Sequence, residues 1–377
     1  MAAVAIVGSS RQRVSWSTSA RRLLLATLVT TVILLTAALL VVPTTPTVWT
    51  GNSPCAAEVG DRKLRRPRSE DDDPVNATAV SSASGHRRFI VNNVHLCDAV
   101  ADDDEMTSFP EFVVVVHSRP GQRGRMQRDA IRATWGSPLH RRVMTPDIRL
   151  AFVLGRERKC GRDGVASSSC SEAVRRESRL YQDVVVADFV DAYRSLSLKS
   201  LSALLWARRH CSAARYVVKV DDDVYLRPDL LPRVRQLTSN ASDSLIVGSI
   251  NVNSTVQRRG LWRVDVRAFP SPTFPPYCSG NVYAMTASVA DRLLAVAAEN
   301  EGGSAAAPFP LEDVHVTALL ATPAGARCVH DDVFPRWDVG PTRANVDRLR
   351  NGNLLAVHNV HYTQMYDILQ RLNDHAR

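Results

Sequence analysis

The sequence predicts an α/β protein with a largely parallel sheet, carried behind a single N-terminal membrane anchor and a stem. Three observations predict it. An almost uninterrupted apolar run at 23–42 is long enough to span a bilayer, which takes about 20 residues. Beyond residue 108, short β-branched runs alternate with helical stretches, the pattern of a parallel sheet. One of those runs, Tyr216, Val217, Val218 and Val220, leads straight into three consecutive acids, Asp221, Asp222 and Asp223. The C-terminal edge of an open α/β sheet is where ligands bind.

Arg11, Arg13, Arg21 and Arg22 precede the apolar run and Pro43 closes it. A cleaved signal peptide has a shorter apolar core, ~7–15 residues, so an uncleaved signal-anchor is expected at 23–42. Positive charge keeps residues 1–22 on the cytoplasmic side and places the remainder in a lumen. Residues 43–108, rich in Pro, Ser, Asp, Asn and Arg and without periodicity, read as a flexible stem. Within it only 89–96 has the composition to pack onto the body, which is expected at 109–377. Acceptor sequons at Asn76, Asn240 and Asn253 fit a lumenal location. The seven cysteines all lie beyond the span without a CxxC pair, which reads as disulfides plus at least one leftover thiol. Cys55 is the candidate for that thiol or for a bridge linking two copies through the stem. Cys160 and Cys170 flank a Gly/Ser loop that they could close. The net charge of +9 is scattered arginine; nucleic acid is excluded as a partner for a lumenal protein, and attraction of an anionic ligand fits better.

In chain order, 112–116 is a strand ending in His117, Ser118 and Arg119, followed by a helical stretch at 127–135 that carries Arg128 and Arg132 on one face. A strand, a loop and a basic helix start present cations to phosphates, although ordinary surface arginines have the same spacing. Strands are expected at 148–154, 184–189, 245–250 and 282–285, and helices at 172–180 and 196–209. Residues 262–282 are rich in Pro and aromatics, with Phe269, Phe274 and Tyr277, the composition of a sugar-binding cleft or of a rigid, disulfide-pinned loop. Glu312 and Asp313 precede a helical run at 316–320; by themselves they read as N-cap and first-turn acids. His358 alone reads as structural.

The acidic triplet demands more. Carboxylates at the end of a buried strand are costly without a cation, and hard oxygen ligands favour Mg²⁺ or Mn²⁺. Such an ion fills its remaining positions with water and phosphate oxygens, so a nucleotide-diphosphate site is expected. The triplets at 71–73 and 102–104 follow no apolar strand and read as solvated acids.

Together these pieces resemble the β1,3-glycosyltransferases of glycosyltransferase family 31, the β1,3-galactosyl- and β1,3-N-acetylglucosaminyltransferases. The match is carried by Arg128-x-x-Ile131-Arg132-x-Thr134-Trp135, by 152–155, and by Asp188-Phe189-x-Asp191-x-Tyr193 with Leu198 and Lys199. It continues through Lys219 and the acidic triplet, 276–280, and Glu312-Asp313-Val314. The resemblance implies a GT-A, Rossmann-like nucleotide-sugar domain and a metal-dependent, inverting transfer of a hexose from a UDP-sugar, galactose in the first instance, to the 3-hydroxyl of a glycan on a glycoprotein or glycolipid. It implies a Golgi membrane location. It assigns Asp221, Asp223 and His358 to the Mn²⁺ or Mg²⁺, Asp313 to the catalytic base, and Ser118, Arg128, Asp191, Lys199 and Asp222 to the nucleotide's surroundings. Asn281 and the glycine-free run after Asp313 depart from the family pattern and bear on the acceptor. A non-catalytic, lectin-like relative and a metal-dependent phosphohydrolase are the competing classes. Intact acids weigh against the first, and the late position of the triplet weighs against the second.

Overall fold

The computed structural model describes residues 87–101, 107–137, 148–157, 167–239, 244–303 and 308–374. The expected tail and anchor, Cys55, Cys160, the side chain of Cys170, Asn76 and Asn240 lie outside the described residues.

The centre is an eight-stranded sheet in the order β1-β6-β5-β4-β7-β10-β9-β11. Its members are β1 (Phe89–Val91), β4 (Phe112–His117), β5 (Ile148–Arg156), β6 (Val184–Val190), β7 (Tyr216–Asp221), β9 (Leu245–Asn251), β10 (Tyr277–Thr286) and β11 (Arg327–His330). Two small ribbons complete the strands: β2 (Val100–Ala101) with β3 (Thr107–Ser108), and β8 (Tyr225–Leu226) with β12 (Ala356–Val357). β4 is parallel to both β5 and β7, with His117 opposite Asp221. All six of its residues are buried, which is why it reads as a continuous apolar run rather than an alternation.

Helices cover both faces. α1 (Gly121–Ala133), α2 (Ser167–Tyr181), α4 (Leu230–Ser239), α7 (Arg343–Arg350) and α8 (Tyr362–Asn373) contribute to one core, among them Ile131, Val174, Val234, Leu349 and Met365. α3 (Leu196–His210), α5 (Ala287–Gly303) and a π-helix (His315–Leu320) contribute to the other, with Leu204, Trp206, Leu293 and Leu320. The chain leaves β4 toward β5 and β6, then returns through α3 to β7 on the opposite side of β4. That reversal makes the C-terminal ends of β4 and β7 the switch point of the sheet, where ligands of open α/β folds bind.

Two boundaries differ from those read in the sequence. The folded body begins before residue 109: β1 pairs antiparallel with β6, and Cys97 is bonded to Cys211 at the end of α3. The patch at 89–96, the one stretch of the expected stem with the composition to pack, does pack onto the body. α1 starts six residues earlier than expected, because its first turn is polar and shows no apolar spacing. Gly124 is required there, since a Cβ would meet the Arg119 carbonyl oxygen at 1.9 Å. A second disulfide, Cys278–Cys328, ties β10 to β11.

Candidate active site

β7 and β4 deliver the acids. Asp221 ends β7, and the chain turns at once so that Asp222 Nα donates to the His117 carbonyl (3.0 Å) and Val360 Nα to the Asp223 carbonyl (2.8 Å). Asp221, Asp223 and His358 converge, their ligand atoms all within 4.8 Å of one another. His358 Nε2 lies 3.3 Å from Asp223, and its Nδ1 lies 3.1 Å from the Trp337 carbonyl, which orients the ring. Burial opposes charge on His358, but Asp223 and that carbonyl outweigh it and raise its pKa. Burial, opposed by Lys219, pushes Asp221 up to about 6. Two carboxylates and an imidazole, clustered and half-buried, fit a hard divalent cation.

Asp222 faces the other way. It is buried, accepts from Ser118 Oγ at 2.8 Å, and is raised by burial against that hydrogen bond. Ser118 also accepts from Arg128 (3.0 Å). Arg128 is fully buried and its guanidinium is committed to Glu177 (2.7 and 2.5 Å) and to the Arg119 carbonyl (2.7 Å). It therefore braces Ser118 from behind instead of presenting a cation to a phosphate. Lys199 Nζ is likewise committed, to Asp191 (2.9 Å) and to the Ser118 carbonyl (2.7 Å). Asp191 in turn accepts from Gly155 Nα (2.7 Å). These residues fix the loops after β4, β5 and β6 around the switch point.

Asp313 occupies the first turn of α6 (Glu312–Val314), which runs on into the π-helix. Its carboxylate accepts from Val314 Nα (2.9 Å), and burial followed by the charge of Glu312 pushes it up to about 7. Glu312 is not its equal. It is buried and accepts from Ser200 Oγ (2.5 Å) and Tyr283 Oη (2.7 Å). Gly280 lets the two elements touch: a Cβ there would lie 3.1 Å from Glu312 and 3.2 Å from Asp313. Between the two acidic groups sits Lys219, buried, 2.5 Å from Asp221 and 3.7 Å from Glu312, and donating to the Gly280 carbonyl. The structure thus clusters Asp221 and Asp223 with His358 and links Asp221 to Glu312 through Lys219; the triplets at 71–73 and 102–104 lie outside the described residues.

Several contributors have no role assigned by the sequence. Lys219 shares a strand face with Val217 and Asp221 by period-two alternation, but nothing in the sequence says that this face meets Glu312. Gln127 Nε2 donates to the Asp222 and Val360 carbonyls (2.8 Å each). It forms one wall of a cavity of about 610 Å³ lined also by Arg119, Gln122, Arg123, Met126, His361 and Tyr362, a basic recess beside the acidic cluster. Most of the aromatic segment packs on itself: Phe269, Phe274, Tyr277 and Phe309 meet one another around Val256, Val264 and Val314, while Trp262 stays exposed. Asn281 is buried and bridges to the Pro335 carbonyl (3.1 Å).

An α/β sheet with two carboxylates and a histidine able to hold a divalent cation at its switch point, and a further carboxylate, Asp313, on a neighbouring element, has the make-up of a group-transfer site. Comparison with known proteins gives the family. A family profile described as "Galactosyltransferase" matches residues 126–332. The chain is 32% identical over 254 residues to human UDP-GlcNAc:betaGal beta-1,3-N-acetylglucosaminyltransferase 8, covering 67% of this chain and 58% of that protein. It is 31% identical over 311 residues to mouse beta-1,3-galactosyltransferase 4, covering 74% and 76%. Among solved structures, a glycosyltransferase involved in glycosylation of the PBCV-1 major capsid covers 70% of this chain at 10% identity and a TM-score of 0.34, too slight a likeness to carry weight. The chain belongs to the galactosyltransferase family, the β1,3-glycosyltransferases of family 31.

Proposed function

We propose that the protein is an inverting β1,3-hexosyltransferase with a GT-A-type domain, moving galactose from UDP-galactose to the 3-hydroxyl of an acceptor glycan. The observation that carries the reading is the separation of duties between Asp221, Asp223 and His358 on one element set and Asp313 on another. A single displacement needs a base on the face of the sugar opposite the leaving group. Asp313, raised to about 7 by burial and Glu312, is poised to take the acceptor's hydroxyl proton near neutrality. As the proton moves to Asp313, the acceptor oxygen bonds to the sugar's anomeric carbon, and the bond from that carbon to the diphosphate oxygen breaks with inversion. Asp221, Asp223 and His358 would hold a Mn²⁺ or Mg²⁺, which when bound supplies charge stabilisation for the departing diphosphate. Ser118 and Asp222 border the position of the nucleoside, and Arg119 and Arg123 present further positive charge beside it.

UDP-N-acetylglucosamine is the alternative donor, because the relatives named above divide between the two sugars at similar identity. The same proposal places the catalytic body in the Golgi lumen behind a type II anchor at 23–42 and a stem, with membrane and a glycoprotein or glycolipid acceptor as partners and Cys55 available to link two copies. The test is turnover of a panel of UDP-sugars by the detergent-solubilised full chain, with Mn²⁺ and with EDTA. Metal-dependent transfer from one donor supports the proposal and identifies the sugar. Binding of Mn²⁺–UDP without turnover of any donor would favour the non-catalytic relative.

A further inference from the structure

We propose that Trp262 and Tyr193 form the platform on which the terminal hexopyranose of the acceptor rests beside Asp313; this deepens the transferase reading and depends on it. Both rings are exposed, Trp262 at 49% and Tyr193 at 41%. They come from separate parts of the chain, the loop between β9 and β10 and the 3₁₀ turn after β6 (Tyr193–Ser195). The indole Nε1 donates to the Tyr193 hydroxyl at 2.6 Å. A second tie joins the same two segments, Arg194 donating to the Arg263 carbonyl at 3.2 Å. An exposed tryptophan anchored through its N–H keeps its ring faces free at little entropic cost, the property that makes such rings effective in recognition.

The pair stands on the Asp313 side of the site. Val264, two residues from Trp262, packs in one cluster with Val314, the neighbour of Asp313. Ser197, four residues beyond Tyr193, donates to the Phe309 carbonyl (2.5 Å), which fastens the start of α3 to the segment leading into Asp313. The Tyr193 phenol is raised by burial and then by the charges of Asp313, Asp221 and Glu312, which places it within their field. Within the 262–282 segment Phe269 and Phe274 are packed against one another and Phe309, whereas Trp262 keeps its ring exposed.

Their chemistry selects the ligand. A hexopyranose carries ring C–H groups on one face and hydroxyls around its rim, so it packs a face against an aromatic ring and directs its hydroxyls outward. An uncharged pair is suited to a neutral sugar and poorly suited to a diphosphate, which has the cations described above. A galactose configuration, with its axial hydroxyl clearing one face, fits a flat ring best.

The experiment uses the full chain in detergent with UDP and Mn²⁺ present. Saturation-transfer NMR is recorded with methyl β-D-galactopyranoside and methyl β-D-N-acetylglucosaminide for wild type, Trp262→Ala, Trp262→Phe and Tyr193→Phe. The expected result is binding of at least one glycoside by wild type, lost in Trp262→Ala, regained in Trp262→Phe and weakened in Tyr193→Phe, with Mn²⁺–UDP affinity equal in all four. In turnover, Trp262→Ala raises the acceptor KM at least about tenfold, equivalent to ~1.4 kcal/mol, and leaves donor hydrolysis unchanged. Equal glycoside signal in wild type and Trp262→Ala, or none in wild type, overturns the platform. Loss of Mn²⁺–UDP affinity in Trp262→Ala also overturns it and gives the ring to the nucleobase. Glycoside binding by a wild type that transfers no sugar sinks the transferase reading and leaves the platform standing.

Discussion

Asp221 and Glu312 face one another across a single buried ammonium, that of Lys219, and the behaviour of the site follows from it. Replacing Lys219 with Met leaves two buried or half-buried carboxylates without their counter-charge. Removing one partner of a buried charge cluster costs ~3–5 kcal/mol, so Lys219→Met is expected to lower the thermal midpoint strongly, as read by circular dichroism without metal. Asp313 differs in kind. Because its pKa in the folded state, about 7, exceeds the ordinary value of 3.8, the folded chain binds a proton there that the unfolded chain releases. Its contribution to stability is full below about pH 4 and is lost as pH rises to 7. Asp313→Asn should therefore melt at a higher temperature than wild type at pH 8 and match it at about pH 4. The same variant should bind Mn²⁺–UDP normally and lose ~10²–10⁴-fold in turnover. In wild type, kcat/KM should climb with pH and level off near 7 as the carboxylate ionises. A flat profile between pH 5 and 8 would remove Asp313 from the role of base.

The helix that carries Asp313 is anchored at element scale. Thr317 in the π-helix accepts from Cys278 Nα (2.9 Å) and donates to the Asp313 carbonyl (2.6 Å), and Cys278 is itself bonded to Cys328. π-turns often mark functional positions; here the π-turn, the disulfide and the irregular pairing of β10 between Cys278 and Tyr283 meet beside Asp313. Cys278→Ala with Cys328→Ala should cost ~2–4 kcal/mol of stability, measured by denaturant unfolding, and reduce kcat more than the donor KM, because Asp313 shifts while the nucleotide loops do not. The loops after β4 and β6 are braced separately, by Arg128 with Glu177 and by Lys199 with Asp191. Conserving charge with Arg128→Lys would forfeit the forked bond to Glu177 and loosen Ser118.

For the whole molecule, the position of β1 decides where the body can be cut. A fragment beginning at 109 lacks β1 and Cys97, so it exposes the edge of β6 and loses the bond to α3; unpaired sheet edges promote association. Such a fragment is expected to aggregate or melt well below one beginning at 87, in size-exclusion and melting experiments side by side. Divalent metal should act globally as well. A ligand that binds only the folded state stabilises by mass action, ~2.7 kcal/mol at a hundredfold excess over Kd. Mn²⁺ with UDP should raise the midpoint of wild type, and Asp223→Ala should abolish the shift.

The alternation of strands and helices was legible because buried parallel strands must be apolar on both faces. The acidic triplet stood out because carboxylates at such a strand's end need a partner. The order of motifs was enough to identify the family. Other features are properties of contacts between distant segments. That Glu312 is spent on Ser200 and Tyr283 while Asp313 stays available, that Arg128 is a brace, and that Lys219 lies between the acids depend on which faces meet across β7, β10 and α6. Local sequence carries no signal of that meeting. The aromatic loop makes the same point: its composition announced rings, but only tertiary packing decided that Phe269, Phe274 and Phe309 would bury one another and that Trp262, held by Tyr193, would remain exposed. Local pattern and burial determine elements and their order, whereas the protonation and availability of a side chain are set by the field and neighbours that folding assembles around it.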